Sequence, residues 1–224
     1  MPDDFLTRLR RLDCCALSDA LDKLGLPGAV TDLSQFAGTR RISGRVITVK
    51  LEAVEALSFR APEGPPRHLC CRAIEKGGAD NVIVVEQRTG LDAGSWGGLL
   101  SLGAKMRGIA GVVAEGPVRD IDEAREMGFP VFARTLTSRT ARGRVAEVGT
   151  DVPVRVGEVH VEAGDYVAAD NSAVVLIPAS RIEEVIETAE MIVRKEAVMA
   201  KAILTGQPIG DVMGGSYEHM LENG

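Results

Sequence analysis

The 224-residue chain is poor in aromatic residues, with one Trp, two Tyr and five Phe. Its core must therefore be built from Val, Leu, Ile and Ala, and the 45% apolar content is enough to build a sizeable one. No apolar run approaches the roughly 20 residues that a membrane helix needs. Basic charge is not in excess: 26 Lys and Arg stand against 32 Asp and Glu, a net charge of −6. That balance argues against a dedicated nucleic-acid binder, which carries a basic face. The charged start, Met1 to Asp13, holds no apolar signal core. Cysteine occurs only as two neighbouring pairs, Cys14-Cys15 and Cys70-Cys71, without CxxC or Cys/His spacing for zinc. The expectation is buried free thiols in a reducing cytoplasm.

No repeat, charge block or low-complexity stretch divides the chain, so one domain over 1–224 is expected. The nearest thing to a linker is Ala61–Pro66, read as a loop before a helix. Helices are expected at 16–24, 68–76, 97–107 and 120–127. Strands are expected at 46–54, 81–86, 108–114 and 130–135, and 152–177 reads as all β. Ser180-Arg-Ile-Glu183 has the form of a capping box. Apolar residues then recur at helical spacing from Ile182 to Leu204, and Gly206 ends the run. A helix over 180–206 is longer than one small domain face requires. It is expected to lie on its own domain or on a neighbouring subunit.

Chemistry concentrates between Gly94 and Asp120. Ser95-Trp-Gly-Gly98 opens a helix, where free N–H groups attract anions. A buried strand then leads to Glu115-Gly-Pro-Val-Arg119-Asp120, and ligands of α/β sheets gather at the carboxyl ends of strands. Arg119 is a forked donor suited to a carboxylate, and Asp120 is an oxygen ligand suited to Mg²⁺. The same pair also fits a loop salt bridge, or Asp120 capping the helix that follows. His160 reads as an exposed strand residue. His68 and His219 stand alone, Lys105 has no apolar pocket in view, and Arg139, Arg142 and Arg144 read as a solvated or subunit-contact cluster.

These residues carry a resemblance. Gly111-Val-Val-Ala-Glu-Gly-Pro-Val-Arg-Asp120 resembles the central signature of the RraA-like family, which includes the class II pyruvate aldolases acting on 4-hydroxy-4-methyl-2-oxoglutarate and 4-carboxy-4-hydroxy-2-oxoadipate. Leu17-Ser-Asp-Ala-Leu21, Gly44-Arg-Val-Ile-Thr48, Val156–Asp165, Val167–Asp170 and Ile177-Pro178 resemble further parts of that family. The resemblance implies an α/β fold, a β/β/α swivelling-type domain with a long C-terminal helix, assembled as a homotrimer or homohexamer. It implies a small oxo-acid substrate held by the backbone N–H groups of Gly97, Gly98, Leu99 and Leu100 and by Arg119. It further implies Mg²⁺ or Mn²⁺ on Asp120, and a glutamate from the neighbour's C-terminal helix, with Glu196 the first choice and Glu190 the second.

One departure stands out. The aldolase pattern is an Asp, twenty intervening residues, then Arg-Asp, and here that first position is Gly98. Glu115 stands where the family often has Asp; a longer acid there reaching the place of the missing carboxylate is an alternative, not the favoured reading. The expected chemistry is a divalent-metal-dependent lyase forming pyruvate enolate, by retro-aldol cleavage or by decarboxylation of oxaloacetate. The alternative is a non-catalytic binding protein of the kind that regulates an RNA-degrading endonuclease by contact.

Overall fold

Apolar runs such as Val82–Val85 and Val112–Ala114 become parallel strands buried on both faces, as near-continuous Val and Ile content requires. The computed structural model describes residues 3–57 and 68–214. In chain order the elements are α1 (Asp4–Leu9), α2 (Cys14–Lys23), β1 (Ala29–Val30), β2 (Ser34–Ala37), β3 (Ile42–Ala53), α3 (Cys71–Lys76), β4 (Asn81–Gln87), α4 (Gly98–Met106) and β5 (Gly111–Val118). They continue as α5 (Ile121–Glu126), β6 (Val131–Leu136), β7 (Val145–Thr150), β8 (Val154–Val156), β9 (Val159–Val161), β10 (Tyr166–Ala169), β11 (Val174–Ile177), α6 (Ile182–Leu204) and α7 (Ile209–Val212). Among the described residues the main sheet runs β1-β11-β10-β3-β4-β5-β6-β2, with β7 also pairing β3.

Strands β3, β4, β5 and β6 are parallel neighbours, and helices α4 and α5 join the last three. The twofold side-chain period of a strand sorts their residues onto two faces. Ile83, Val85, Val112 and Ala114 meet Ile74, Leu100, Ala104 and Ala124 on the helical side. Val82, Val84 and Val113 meet the β8–β9 hairpin and the inner residues of β10 and β11 on the other. The outer residues of β10 and β11 are covered by α1, α2 and α6. The result is the β/β/α layering that the resemblance implied.

The observed boundaries move for local reasons. Helix α3 starts at Cys71, because Cys70 is left-handed (φ 64°) and its N–H goes to Glu147 Oε2 at 2.7 Å. Gly108, at φ 75°, closes the turn after α4, so β5 begins at Gly111 and runs on to Val118. The capping box does not form. A 3-10 turn takes up Ala179–Arg181, α6 starts at Ile182, and its first turn has no side-chain cap. The thiols are only partly as expected: Cys14 and Cys70 are buried, Cys15 is exposed and Cys71 is half-buried. Residues 61–66 and His219 lie outside the described residues. Helices α1 and α7 and strands β1, β2 and β7 are not among the elements expected from the sequence.

Helix α6 buries Ile182, Val185, Ile186, Ala189 and Ile192. Beyond Ile192 the burial fades: Val193 still packs on that cluster and Met199 is half-buried, but Val198 is 70% and Leu204 87% exposed. No helix among the described residues is long and apolar enough to cross a membrane.

Candidate active site

The site forms where β5 ends beside the start of α4. Residues 94–97 run alongside the last residues of β5. Ser95 N–H donates to the Pro117 carbonyl at 2.8 Å, Arg119 N–H donates to the Trp96 carbonyl at 3.0 Å, and Trp96 bridges Val118. Trp96 is buried, stacks on Phe129 with centroids 6.3 Å apart, and donates its indole N–H to Ser101 Oγ at 2.9 Å. That anchoring fixes the entry to α4. At the other end, Gly94 N–H donates to the Arg139 carbonyl, and Arg139 pairs with Asp92 at 3.1 Å.

Arg119 and Asp120 face this turn. Asp120 is left-handed (φ 54°), a conformation Asp tolerates better than most residues. Its side chain does not cap α5, on which it borders. Instead Oδ2 accepts the Gly98 N–H at 3.1 Å, and Oδ1 accepts Arg119 Nε–H at 3.0 Å. The salt bridge anticipated as an alternative is thus present, and it leaves both Arg119 Nη groups without a protein partner among the described residues.

Three glycines make the approach possible. A Cβ at Gly94 would come 2.9 Å from Arg119 Cγ, and one at Gly97 would come 2.9 Å from Asp120 Oδ2. One at Gly98 would come 3.2 Å from Asp120 Cβ and 3.5 Å from Glu123 Oε2. Of the four N–H groups expected to hold substrate, that of Gly98 is therefore engaged by Asp120. Those of Gly97, Leu99 and Leu100 face no protein acceptor among the described residues.

Glu123 is the residue that sequence reasoning missed. It lies in the first turn of α5, and its carboxylate borders the space a side chain at position 98 would fill. The only signal in the sequence was an acid four residues after Arg119. Glu115 does not play this part. It follows Val113 in the strand period and so points to the opposite face of the sheet, where Arg134 Nη2 donates to its two oxygens at 2.9 and 3.0 Å. It lines a separate cavity there with Arg88, Asp32 and Glu158.

A cavity of about 630 Å³ opens over the site. Its lining includes Arg119, Asp120, Gly94, Gly97, Gly98, Leu99 and Leu100, together with His68. Leu99, a lining residue, is 86% exposed, and Met106, at the far end of α4, is 78% exposed. Glu196 and Glu190 lie elsewhere in the same chain. Glu190 is clasped by Arg8, whose Nε and Nη2 donate to its two oxygens at 2.9 Å, and this lowers its carboxyl pKa. Glu196 is exposed on α6; partial burial and the nearby Asp13 and Asp19 push its carboxyl up. His160 is exposed, as expected, and Lys105 donates to the Met127 carbonyl at the surface.

The donor chemistry fits a hard divalent cation. Asp120 and Glu123 converge beside Gly98, and no group of three or more His, Cys, Asp or Glu with metal-binding geometry occurs among the described residues. Mg²⁺ typically takes one or two carboxylates, with water and substrate completing its shell.

The fold is a layered α/β protein with an Arg-Asp pair beneath a glycine-opened helix at the carboxyl edge of its sheet. The chain belongs to the RraA-like family, whose model, described as Aldolase/RraA, matches residues 14–176. It is 33% identical to the 4-hydroxy-4-methyl-2-oxoglutarate aldolase of Thermus thermophilus over 144 residues, 64% of this chain and 79% of that one. It is 28% identical over 209 residues to Protein DlpA of Legionella pneumophila, covering 93% of this chain but only 33% of DlpA. The chain thus spans about a third of that relative's length. A crystal structure of an uncharacterized protein from Pseudomonas syringae superposes with a TM-score of 0.81 at 26% identity, covering 94% of this chain and 96% of that one.

Proposed function

We propose that this chain is a divalent-metal-dependent carbon–carbon lyase that generates pyruvate enolate, from a 4-hydroxy-2-oxo acid by retro-aldol cleavage or from oxaloacetate by decarboxylation. The observation that carries the reading is the Arg119–Asp120 arrangement at the mouth of α4. Asp120 fixes Arg119 through Nε and leaves the two Nη groups for a substrate carboxylate. The N–H groups of Gly97, Leu99 and Leu100 take further oxygens of the same oxo acid.

Asp120, with Glu123 beside it, would hold Mg²⁺ or Mn²⁺, which when bound supplies Lewis-acid stabilisation of the charge that develops on the 2-oxo oxygen. Arg119 opposes that same charge from the protein side. Glu123 holds a carboxylate where position 98 has none and orders water near the reacting carbons. The proton of the C4 hydroxyl leaves through that water.

We place the working site at a boundary between subunits of a homotrimer or homohexamer. The bare apolar residues of α4 and of the second half of α6 support such contacts. Of the two glutamates considered for a neighbour's site, Glu196 is the better candidate, because Glu190 is held by Arg8. The glycine at position 98 favours a second reading, a binding protein without chemistry.

Pyruvate release from oxaloacetate and from 4-hydroxy-4-methyl-2-oxoglutarate separates the two readings, with Mg²⁺ and with chelator, after subtraction of the metal-only rate. Chelator-sensitive turnover is expected. No turnover on either substrate from a folded oligomer would leave the binding-protein reading standing.

A further inference from the structure

Three turns meet at the amino edge of the parallel sheet: those joining β2 to β3, α3 to β4 and α4 to β5. Between them and the end of α1 lies a cavity of about 300 Å³, whose lining includes Arg10, Arg40, Arg41, Ser43, Ala79 and Gly108. We propose that this cavity binds a phosphate group, free or carried by a small molecule. It is separate from the site at Arg119. Strand β5 starts at Gly111, next to the lining residue Ala110, and reaches Val118 more than about 20 Å further on.

The charge is concentrated locally. The chain carries −6 overall, yet every charged residue among the described lining is an arginine. Arg40 and Arg41 make no side-chain hydrogen bond or ion pair among the described residues. Arg10 gives one Nη group to Asp80 at 2.7 Å. Both partners of that pair are exposed, so it holds Arg10 weakly and leaves its other donors available. Guanidinium forks match the oxygens of a phosphate, and two or three of them match a charge that approaches −2 at neutral pH. A single carboxylate would satisfy only one fork.

Ser43 adds a neutral donor from within the fold. It is 9% exposed, lines the cavity, and its hydroxyl has no partner among the described residues. A phosphate oxygen supplies the acceptor that such a hydroxyl requires. The backbone that presents these groups is held in place. Gly38 is left-handed (φ 76°), and a Cβ there would come 2.8 Å from Pro130 Cα. Gln35 Nε2–H donates to the Arg40 carbonyl at 3.1 Å. On the facing turn, Gly78 N–H donates to Asn81 Oδ1 at 3.0 Å, and Arg45 N–H donates to the Asp80 carbonyl at 2.7 Å. Binding therefore has little backbone left to order. The volume is at the low end for small-molecule cavities, which favours a compact anion over a polymer.

The test is calorimetric titration of the full chain at fixed ionic strength, with inorganic phosphate, glycerol 3-phosphate and a single-stranded oligonucleotide. Saturable binding of phosphate at one site per chain is expected. Arg40→Ala and Arg41→Ala should each weaken it about tenfold or more, the scale of one lost hydrogen bond to a charged group. Both side chains are exposed, so these variants should fold. Ser43→Ala should weaken binding about two- to tenfold without changing the charge, which a diffuse basic surface would not show. Arg119→Ala should leave this binding intact. Tighter binding of glycerol 3-phosphate identifies a phosphate ester as the ligand, and tighter binding of inorganic phosphate identifies the free ion. Binding that survives both arginine variants, or that Arg119→Ala abolishes, would overturn the proposal. So would an oligonucleotide that binds more tightly than either phosphate while Ser43→Ala has no effect.

Discussion

Asp120 accepts the backbone N–H of Gly98 at 3.1 Å, so the position that lacks the family's carboxylate holds the neighbouring carboxylate in place. A Cβ at position 98 would stand 3.2 Å from Asp120 Cβ and 3.5 Å from Glu123 Oε2. An acid at 98 and the acid at 123 therefore compete for one space.

That competition yields a compensation test. Glu123→Ala should lower kcat about 10- to 100-fold, the usual loss when a group that orients a metal site is removed. Gly98→Asp alone should also lower it, by crowding Asp120. The double variant should regain most of the activity. Full activity in Glu123→Ala would remove Glu123 from the account.

Arg119→Ala should cost about 10²–10³-fold in kcat/KM, the scale set by losing one charge-stabilising donor. Thermal stability should hold, because the side chain is about a third exposed and its partner Asp120 keeps the Gly98 N–H. Arg119→Lys should not restore the rate, since an ammonium cannot satisfy Asp120 and a substrate carboxylate as a fork.

Glu115→Ala should separate stability from catalysis. It leaves Arg134 paired only with Asp32 on the far side of the sheet. A loss of about 2–3 kcal/mol is expected in urea unfolding, below the full cost of breaking a buried pair because Arg134 is partly exposed. The kcat should not move. A large fall in kcat with unchanged stability would place Glu115 in the site after all.

Glu190 and Arg8 fix a pH dependence. The hydrogen bond from Arg8 lowers the Glu190 carboxyl pKa, with Coulombic attraction adding to it. A carboxyl depressed in the folded state contributes stability that is present above its unfolded pKa and lost as pH falls through its folded one. Thermal melts of the wild type should thus lose ground on acidification below the ordinary carboxyl range, and Glu190→Gln should lose less. Glu196 has the opposite sign. Its pKa is raised by partial burial and by Asp13 and Asp19, so Glu196→Gln should melt slightly higher at neutral pH.

The parallel strands and the long helix were legible because their signals are local: unbroken β-branched runs and apolar residues at helical spacing. The central signature located Arg119 and Asp120 for the same reason. Strands β1, β2 and β7 carry no such pattern and exist because β11, β6 and β3 offer them edges. Ser180 read as a cap only in isolation; the 3-10 turn after Pro178 moves the helix start past it. Glu115 shares the strand parity of Val113 and so faces Arg134, away from the site, a facing that the strand expected over 108–114 stops one residue short of. Glu123 was invisible because its closeness to Gly98 arises from the packing of α5 against α4, residues far apart in sequence.

The central claim is that Arg119 and Asp120 hold a pyruvate unit while its enolate forms. Deuterium incorporation from solvent into the methyl group of pyruvate, followed by NMR with Mg²⁺, with chelator and in Arg119→Ala, tests it without knowledge of the rest of the substrate. The account predicts exchange that chelator and Arg119→Ala both abolish. Exchange no faster than the protein-free Mg²⁺ control, from folded wild-type protein, would contradict it.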